Sequence, residues 1–241
     1  MKKTAIASAV SKHFGPSRAD LMERKDARGH GKANLWYLYL PKIGMDVALS
    51  SDAEYLNAIS MDGDPDVEHF TINPPPFLVP VGSDVHQTEF DAFVKRKSGR
   101  PELREVKAID LQREKETTRD EHQREAQILA IERLGYDYLR VGVKELLAQQ
   151  QFLSNWRRAR AFLDAARLHP LDQFKIAAIA AANRRKQNTL RELAEGVPAG
   201  DLPVFFAACF SLAQHGQLAT DLSSKPLSMA TKFWIGGKDY D

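Results

Sequence analysis

The sequence is poor in features that mark several protein classes. Its 241 residues include one cysteine, Cys209, so no disulfide can form within a single chain. Cys209 lies in the apolar stretch 204–210, where we expect it to pack as a small hydrophobic side chain. No apolar run approaches membrane-spanning length, and the apolar part of residues 1–10 is too short for a convincing secretory signal. A reducing, cytoplasmic setting is therefore expected.

The chain also lacks a strong charge of one sign. Its formal net charge is only +2 at pH 7, so overall basicity does not indicate a nucleic-acid partner. Basic residues are instead concentrated in the first 32 residues and again at 157–160. Clustered cations can neutralise phosphates even in a near-neutral protein, although such clusters are equally typical of a solvated surface.

Hydrophobic patterning predicts an α/β protein long enough for one large or two smaller domains. Strands are predicted at 35–40, 67–72, 76–81, 88–95 and 103–108. A charged helix at 109–134 should end at Gly135 and lead into a strand at 136–143. Its predicted packing side consists of Ile128, Leu129, Ile131 and Leu134. This order favours a mixed sheet flanked by helices.

The last third of the chain is predicted to be mostly helical. Helices are expected at 152–168, 171–183, 189–196 and 202–215, with a break at His169-Pro170 because the residue before proline avoids helical geometry. Candidate wing strands at 219–222 and 228–235 follow around Lys225-Pro226. The pattern resembles a winged-helix domain, a fold that binds proteins as readily as nucleic acid.

Residues 86–107 carry the candidate chemistry. They read as two strands joined by a polar turn, with Asp91 on the first strand and Glu105-Val106-Lys107 on the second. Glu105 and Lys107 are two apart, so a strand would point both side chains the same way. If the strands pair, Asp91 can approach Glu105 and provide oxygen ligands of the kind that hold Mg²⁺. A surface ion pair on an ordinary hairpin explains the same residues.

A third carboxylate, Glu54, is expected in the first turn of a short helix. Ser50 and Ser51 precede it as capping residues, and Leu56 and Ile59 continue at helical spacing. The positive end of the helix dipole also favours a carboxylate at this position, without any metal.

The order helix-borne Glu54, strand-borne Asp91 and then Glu105-x-Lys107 resembles the PD-(D/E)xK nuclease superfamily. Further motifs resemble one family of this superfamily, TnsA, which is the endonuclease subunit of heteromeric transposases. These motifs occur in the order seen in that family: Arg28-Gly-His-Gly-Lys32, the aromatic run 36–39, the segment 51–54, His86 and Gly99-Arg100. The similarity covers roughly residues 24–235.

Two departures from the superfamily pattern concern Asp91. The proline that names the superfamily is absent, and Phe90 stands before Asp91. Glu89 would share a strand face with Asp91 and could take its metal role. We favour Asp91 because its spacing to Glu105-Val106-Lys107 fits the family pattern.

The resemblance implies a restriction-endonuclease-like domain and a Mg²⁺-dependent DNA endonuclease, for which Mn²⁺ would substitute. Glu54, Asp91 and Glu105 would hold the metal, helped by the carbonyl of Val106, while Lys107 would orient water or screen the phosphate. Supporting and DNA-binding roles would fall to Glu125 and Gln127, and to Arg28, His30 and Lys32, respectively.

The implied organisation is a basic arm at 1–34, a nuclease domain at 35–148, and a helical linker with a winged-helix-like domain at 149–241. In the family this architecture nicks the 5′ strands at transposon ends, beside a TnsB-like transposase and a TnsC-like ATPase. Two alternatives stay open: a stand-alone restriction or repair nuclease, and a winged-helix DNA-binding regulator without catalysis.

Overall fold

The computed structural model describes residues 34–81, 84–107, 124, 128–129 and 131–237. The chain divides into two compact units. The first runs to Tyr39 and includes Met45–Met61 and Val67–Leu147, and the second comprises Leu40–Gly44, Asp62–Asp66 and residues from Ala148 onward. None of the helices within the described ranges has the length and apolar character required to cross a bilayer.

The first unit is built on a mixed four-stranded sheet. The elements that lie wholly or mainly in this unit are, in chain order, β1 Trp36–Leu40, β2 Met45–Leu49, α1 Asp52–Gly63, β3 Val67–Ile72, β4 Phe77–Val81, β5 Asp84–Thr88, β6 Ala92–Arg96, β7 Glu102–Val106, β8 Asp137–Val141 and α2 Val143–Leu147. The last residue of β1 and the last two residues of α1 belong to the second unit. The sheet order is β3-β6-β7-β8. The β7–β8 pair is parallel, and the other two pairs are antiparallel. The predicted α/β class, with a mixed sheet and flanking helices, is confirmed.

The core of this unit follows the alternation of its central strands. Phe70, Val94 and Leu103 are fully buried. Beside them lies an aromatic cluster in which Phe90 and Leu103 pack with partly buried rings, namely Phe77, Phe93, Tyr136 and Tyr138. The register places Phe70 and Val94 on one face of the sheet and Phe93, Leu103 and Tyr138 on the other, so both faces carry packed apolar side chains.

Several predicted elements need correction. The strand predicted at 88–95 is wrong in its first half: Thr88 ends β5, Asp91 lies in a bend, and β6 begins at Ala92. The strands β2 and β5 were not predicted. Residues 131–133 are helical and Gly135 follows with a positive φ of 89°, as expected for a helix end. However, Leu129 and Leu134 are 54% and 48% exposed, so they do not form the predicted packing side.

Up to residue 237, where the described part of the chain ends, the second unit contains four α-helices and a small antiparallel sheet. Its elements are α3 Gln150–Ala165, α4 Asp172–Ala182, β9 Asn188–Thr189, α5 Leu190–Leu193, α6 Leu202–Gln214, β10 Leu218–Thr220 and β11 Lys232–Ile235. The sheet order is β10-β11-β9. Thr189 begins α5 through a capping box with Glu192. Both wing strands are shorter than predicted, because residues 221–231 form turns and irregular structure.

Helix α6 forms the centre of this second unit. It packs against α3 and α4, and every residue from 207 to 214 is buried. Cys209 is fully buried there, and burial raises the pKa of its thiol to about 12. The expectation that this cysteine packs as a small hydrophobic side chain is therefore confirmed.

Candidate active site

Asp91 sits in a bend that two backbone contacts define. Its amide donates to the carbonyl of Arg104 at 2.9 Å, and its Oδ2 accepts a 2.6 Å hydrogen bond from the amide of Val106. Burial raises the pKa of this carboxyl, and the negative charges of Glu54 and Glu105 add to the effect. The Val106 amide and Lys107 oppose the rise without cancelling it. Asp91 therefore lies within electrostatic reach of both other predicted carboxylates.

Glu54 occupies the first turn of α1, as predicted, and its carboxylate turns back to the start of the helix. Its oxygens accept hydrogen bonds from the Ser50 amide at 3.1 Å and from the Ser51 hydroxyl at 3.0 Å, and the Ser51 hydroxyl in turn accepts from the Glu54 amide. These contacts cap the helix. The same side chain also lines a small recess together with Asp91 and Val106.

Glu105 and Lys107 project from the same side of β7, as their spacing predicted. Nζ of Lys107 lies 2.6 Å from Oε1 of Glu105. Oε2 accepts a hydrogen bond from the hydroxyl of Tyr138 and lies 3.2 Å from Nε of Arg140. Burial alone would raise the pKa of Glu105, but the donors Lys107 and Tyr138 and the charges of Lys107 and Arg140 lower it overall. The ionised carboxylate is thus the favoured form.

Glu105 and Lys107 face a cavity of about 240 Å³. Its polar lining includes Thr88, Glu89, Arg124, Tyr138 and Arg140, and its apolar lining includes Phe90, Ile128 and Ile131. Three cationic side chains, those of Lys107, Arg124 and Arg140, thus line a single space together with the acidic side chains of Glu89 and Glu105. Such a cavity suits an anionic group of a substrate.

The four predicted site residues divide between two neighbouring spaces. Glu54 and Asp91 line the recess with Val106, whereas Glu105 and Lys107 line the cavity. Within the described ranges, no three His, Cys, Asp or Glu side chains are grouped as a ready-made metal site. The donor chemistry nevertheless fits a hard divalent cation, because carboxylates are the ligands that such a cation prefers. Burial is the main cause of the raised pKa of Asp91, and a shared cation would offset the smaller contribution from the charges of Glu54 and Glu105.

Glu89, the competitor for the metal role, occupies a different environment from Asp91. Its side chain is exposed and lines the cavity, while Asp91 lines the recess. The bend at 89–91 separates them, so the shared strand face expected from the sequence does not form. Glu89 is consequently placed beside Glu105 and Lys107, and not beside Glu54.

Five predicted positions lie outside the described residues. These are the candidate DNA-binding residues Arg28, His30 and Lys32 and the candidate supporting residues Glu125 and Gln127.

Two polar residues of the site, Tyr138 and Arg140, were not identified from the sequence. They lie two apart on β8, in register with Leu103 and Glu105 of the parallel strand β7. The signal was present as a polar pair, Tyr138-x-Arg140, inside a segment predicted to be a strand. It could have been used only with knowledge that β7 and β8 are neighbours.

Comparison with known proteins adds no relatives to this picture: the chain matches no protein-family model, and it matches no curated protein.

Proposed function

We propose that the chain is a divalent-metal-dependent DNA endonuclease. The observation that carries the proposal is geometric: the amide of Val106, which lies between Glu105 and Lys107, holds Oδ2 of Asp91 at 2.6 Å, and Asp91 shares a recess with Glu54. Nζ of Lys107 lies 2.6 Å from Oε1 of Glu105. Three carboxylates and one ammonium drawn from α1, the bend and β7 are the groups needed to hold a cation and screen a phosphodiester.

In this proposal Glu54, Asp91 and Glu105, with the carbonyl of Val106, hold the cation. A bound Mg²⁺ or Mn²⁺ would supply a more acidic water and offset charge on the phosphoryl oxygens. Lys107 holds its ammonium at the rim of the cavity, where it screens a phosphate or orients water. Arg124 and Arg140 line the same cavity and favour an anionic substrate there.

The resemblance to the TnsA family suggests which DNA is cut. We propose nicking of the 5′ strands at transposon ends, alongside a TnsB-like transposase and a TnsC-like ATPase. The mixed sheet with flanking helices is compatible with a restriction-endonuclease-like domain. The order α4, β9, α5, α6, β10, β11 with sheet order β10-β11-β9 supports a winged-helix-like second unit.

The composition and burial of α6 bear on whether the second unit could bind DNA through this helix. In a helix-turn-helix domain, the recognition helix presents side chains to the DNA groove. Helix α6 contains no lysine or arginine, and its residues 207–214 are buried. Exposed basic residues lie instead at 184–186, after α4. We therefore propose that this unit does not read DNA through α6.

The test is a nicking assay on a transposon-end duplex with Mg²⁺ or Mn²⁺ and the partner proteins. The wild type should nick one strand at each end, while Asp91→Ala and Lys107→Ala should fold, bind the partners and leave the DNA intact. Wild-type cutting by Asp91→Ala would remove this residue from the metal site. Absence of metal-dependent nicking by the complete assembly would refute the proposal.

A second candidate is a DNA-binding protein without catalysis. It is favoured by the observation that the carboxylates of Glu54 and Glu105 already accept hydrogen bonds from neighbouring side chains. A protein of this kind should bind duplex DNA equally well with and without Mg²⁺, and should show no nicking with Mn²⁺. The nuclease should nick with either metal.

A further inference from the structure

The two carboxylate oxygens of Glu105 contact different side chains. Oε1 lies 2.6 Å from Nζ of Lys107, which follows two residues later in the chain. Oε2 is held by the neighbouring strand, because it accepts a hydrogen bond from Tyr138 and lies 3.2 Å from Nε of Arg140. One oxygen is therefore fixed by β8, and the other faces the lysine.

The strand register explains how β8 reaches Oε2. Glu105 is paired with Arg140, and Leu103 is paired with Tyr138. Because side chains alternate along a strand, Tyr138 and Arg140 share the face that carries Glu105 and Lys107. The position of the Tyr138 hydroxyl is set in turn by the core, since its ring packs edge-on against buried Phe90 with centroids 6.1 Å apart.

Building on the proposed nuclease function, we infer that Tyr138 is a positioning residue: it anchors Oε2 of Glu105 so that Oε1 is presented to the cation. Arg140 supports the same oxygen from the next position on the same face of β8. Lys107 contacts Oε1, so Oε1 is the oxygen that β8 leaves free of its own contacts.

The energetic reason is preorganisation. A glutamate side chain has several rotatable bonds, and fixing it on metal binding costs conformational entropy. A hydrogen bond from a rigid aromatic side chain restricts it beforehand. Partners of this kind, which orient a ligand without touching the metal, are worth roughly 10–100-fold in metal affinity.

The experiment uses the full-length protein and measures Mn²⁺ binding by the loss of the free-ion signal in electron paramagnetic resonance. Tyr138→Phe removes the hydroxyl and keeps the ring. Tyr136→Phe is the matched control, because Tyr136 packs in the same aromatic cluster two residues earlier. Glu105→Gln tests the ligand itself, and circular dichroism without metal verifies folding.

We expect the affinity to fall roughly 10–100-fold in Tyr138→Phe and to stay at the wild-type level in Tyr136→Phe. The Mg²⁺ concentration for half-maximal nicking should rise in Tyr138→Phe, while the rate at saturating Mg²⁺ should stay close to wild type. Unchanged or tighter Mn²⁺ binding by Tyr138→Phe, with binding lost in Glu105→Gln, would overturn this inference alone. Absence of Mn²⁺ binding by the wild type would overturn the proposed function as well.

Discussion

The backbone amide of Val106 donates a 2.6 Å hydrogen bond to Oδ2 of Asp91, and thereby ties the bend before β6 to the end of β7. This contact crosses 15 positions of sequence. It places Asp91 next to Val106, the residue between Glu105 and Lys107. The candidate site is thus assembled by the antiparallel pairing of β6 with β7 together with this contact from a backbone amide.

Replacing Asp91 with asparagine should abolish activity while keeping this contact. Asparagine retains an oxygen that can accept from Val106, so the bend should persist, but the negative charge is lost. We expect metal-dependent nicking to fall by roughly 100-fold or more, the range found when one preorganised electrostatic group is removed. Rates are to be measured under single-turnover conditions with the partner proteins present.

Glu89→Gln is the control for this substitution, because Glu89 also contributes a carboxylate near the site but lies on the cavity side. It should nick at close to the wild-type rate. The reverse pattern, an active Asp91→Asn and an inactive Glu89→Gln, would assign the ligand role to Glu89.

Asp91→Asn should also change how stability depends on pH. The pKa of Asp91 is raised in the folded protein, first by burial and then by the neighbouring carboxylates. The folded state therefore holds this proton more tightly than the unfolded chain. The stability linked to it is fully present below the unfolded pKa of about 3.9 and is lost as pH rises through the higher folded value.

The variant carries no such proton, so its Tm minus that of the wild type should increase as pH rises from about 4 towards 7. Each kcal/mol recovered corresponds to about 2–4 °C in a chain of this size. Differential scanning calorimetry in metal-free buffer across this range measures the effect. A difference in Tm that stays constant with pH would contradict the raised pKa.

The sequence predicted the strands of the central sheet well, because burial dominates them. The strand at 67–72 was predicted with the bounds that the structure shows, and Ala92 and Val94 of β6 are buried at alternate positions as expected. In β7 the burial does not alternate, because Leu103 and Arg104 are both buried. The bend at Asp91 was missed since Phe90, Ala92 and Val94 are all buried, and the alternation therefore continues through it. Only the tertiary contact with Val106 distinguishes a bend from a strand there.

The polar surroundings of the site were less accessible to sequence reasoning. Local strand alternation alone predicted that Glu105 and Lys107 share a face. Tyr138 and Arg140, in contrast, come from a strand more than 30 positions later, so no local pattern connects them with Glu105. Helical periodicity likewise identified Ile131 as buried but could not show that Leu129 and Leu134 are about half exposed. Which strands pair and which helices pack together must be known before these residues can be assigned to the site or to the core, and the sequence pattern alone does not give this.

Glu54 allows its capping role and its proposed metal role to be separated. Its carboxylate accepts from Ser50 and Ser51 at the start of α1. Glutamine keeps an accepting oxygen and should preserve the hydrogen bonds from Ser50 and Ser51, whereas alanine removes this acceptor and should cost about 0.5–1.5 kcal/mol of stability for each hydrogen bond lost. We therefore expect Glu54→Gln to unfold close to the wild-type temperature and Glu54→Ala to unfold earlier.

The two substitutions of Glu54 should affect Mn²⁺ binding and DNA nicking differently from the way they affect stability. Both Glu54→Gln and Glu54→Ala should lose them, since both remove the negative charge from the recess. If Glu54→Gln binds Mn²⁺ and cuts DNA like the wild type, the residue is a helix cap and not a ligand. Thermal unfolding and metal titration on the same preparations distinguish the two roles.

Asp62 should dominate the stability of the second unit. Its side chain is fully buried, and its oxygens accept from the Lys42 amide at 3.0 Å and from Nε1 of Trp156 at 2.9 Å. Nε of the buried Arg160 lies 3.5 Å from the same carboxylate. Burial raises the pKa of Asp62, and the donors Lys42 and Trp156 and the charge of Arg160 oppose this rise. Asp62→Ala removes the acceptor of these buried donors and the carboxyl partner of a buried guanidinium, so it should destabilise by about 3–5 kcal/mol. Chemical denaturation monitored by Trp fluorescence measures the loss.

Asp164→Ala is the matched control, because Asp164 lies on α3 with its side chain 53% exposed and 3.9 Å from Arg167. A surface pair of this kind contributes about 0–1 kcal/mol. The double substitution Asp62→Ala with Arg160→Met should be less destabilising than the sum of the single changes, because the second change removes the uncompensated charge. Strict additivity would mean that Asp62 stabilises the unit through Trp156 and Lys42 and not through Arg160.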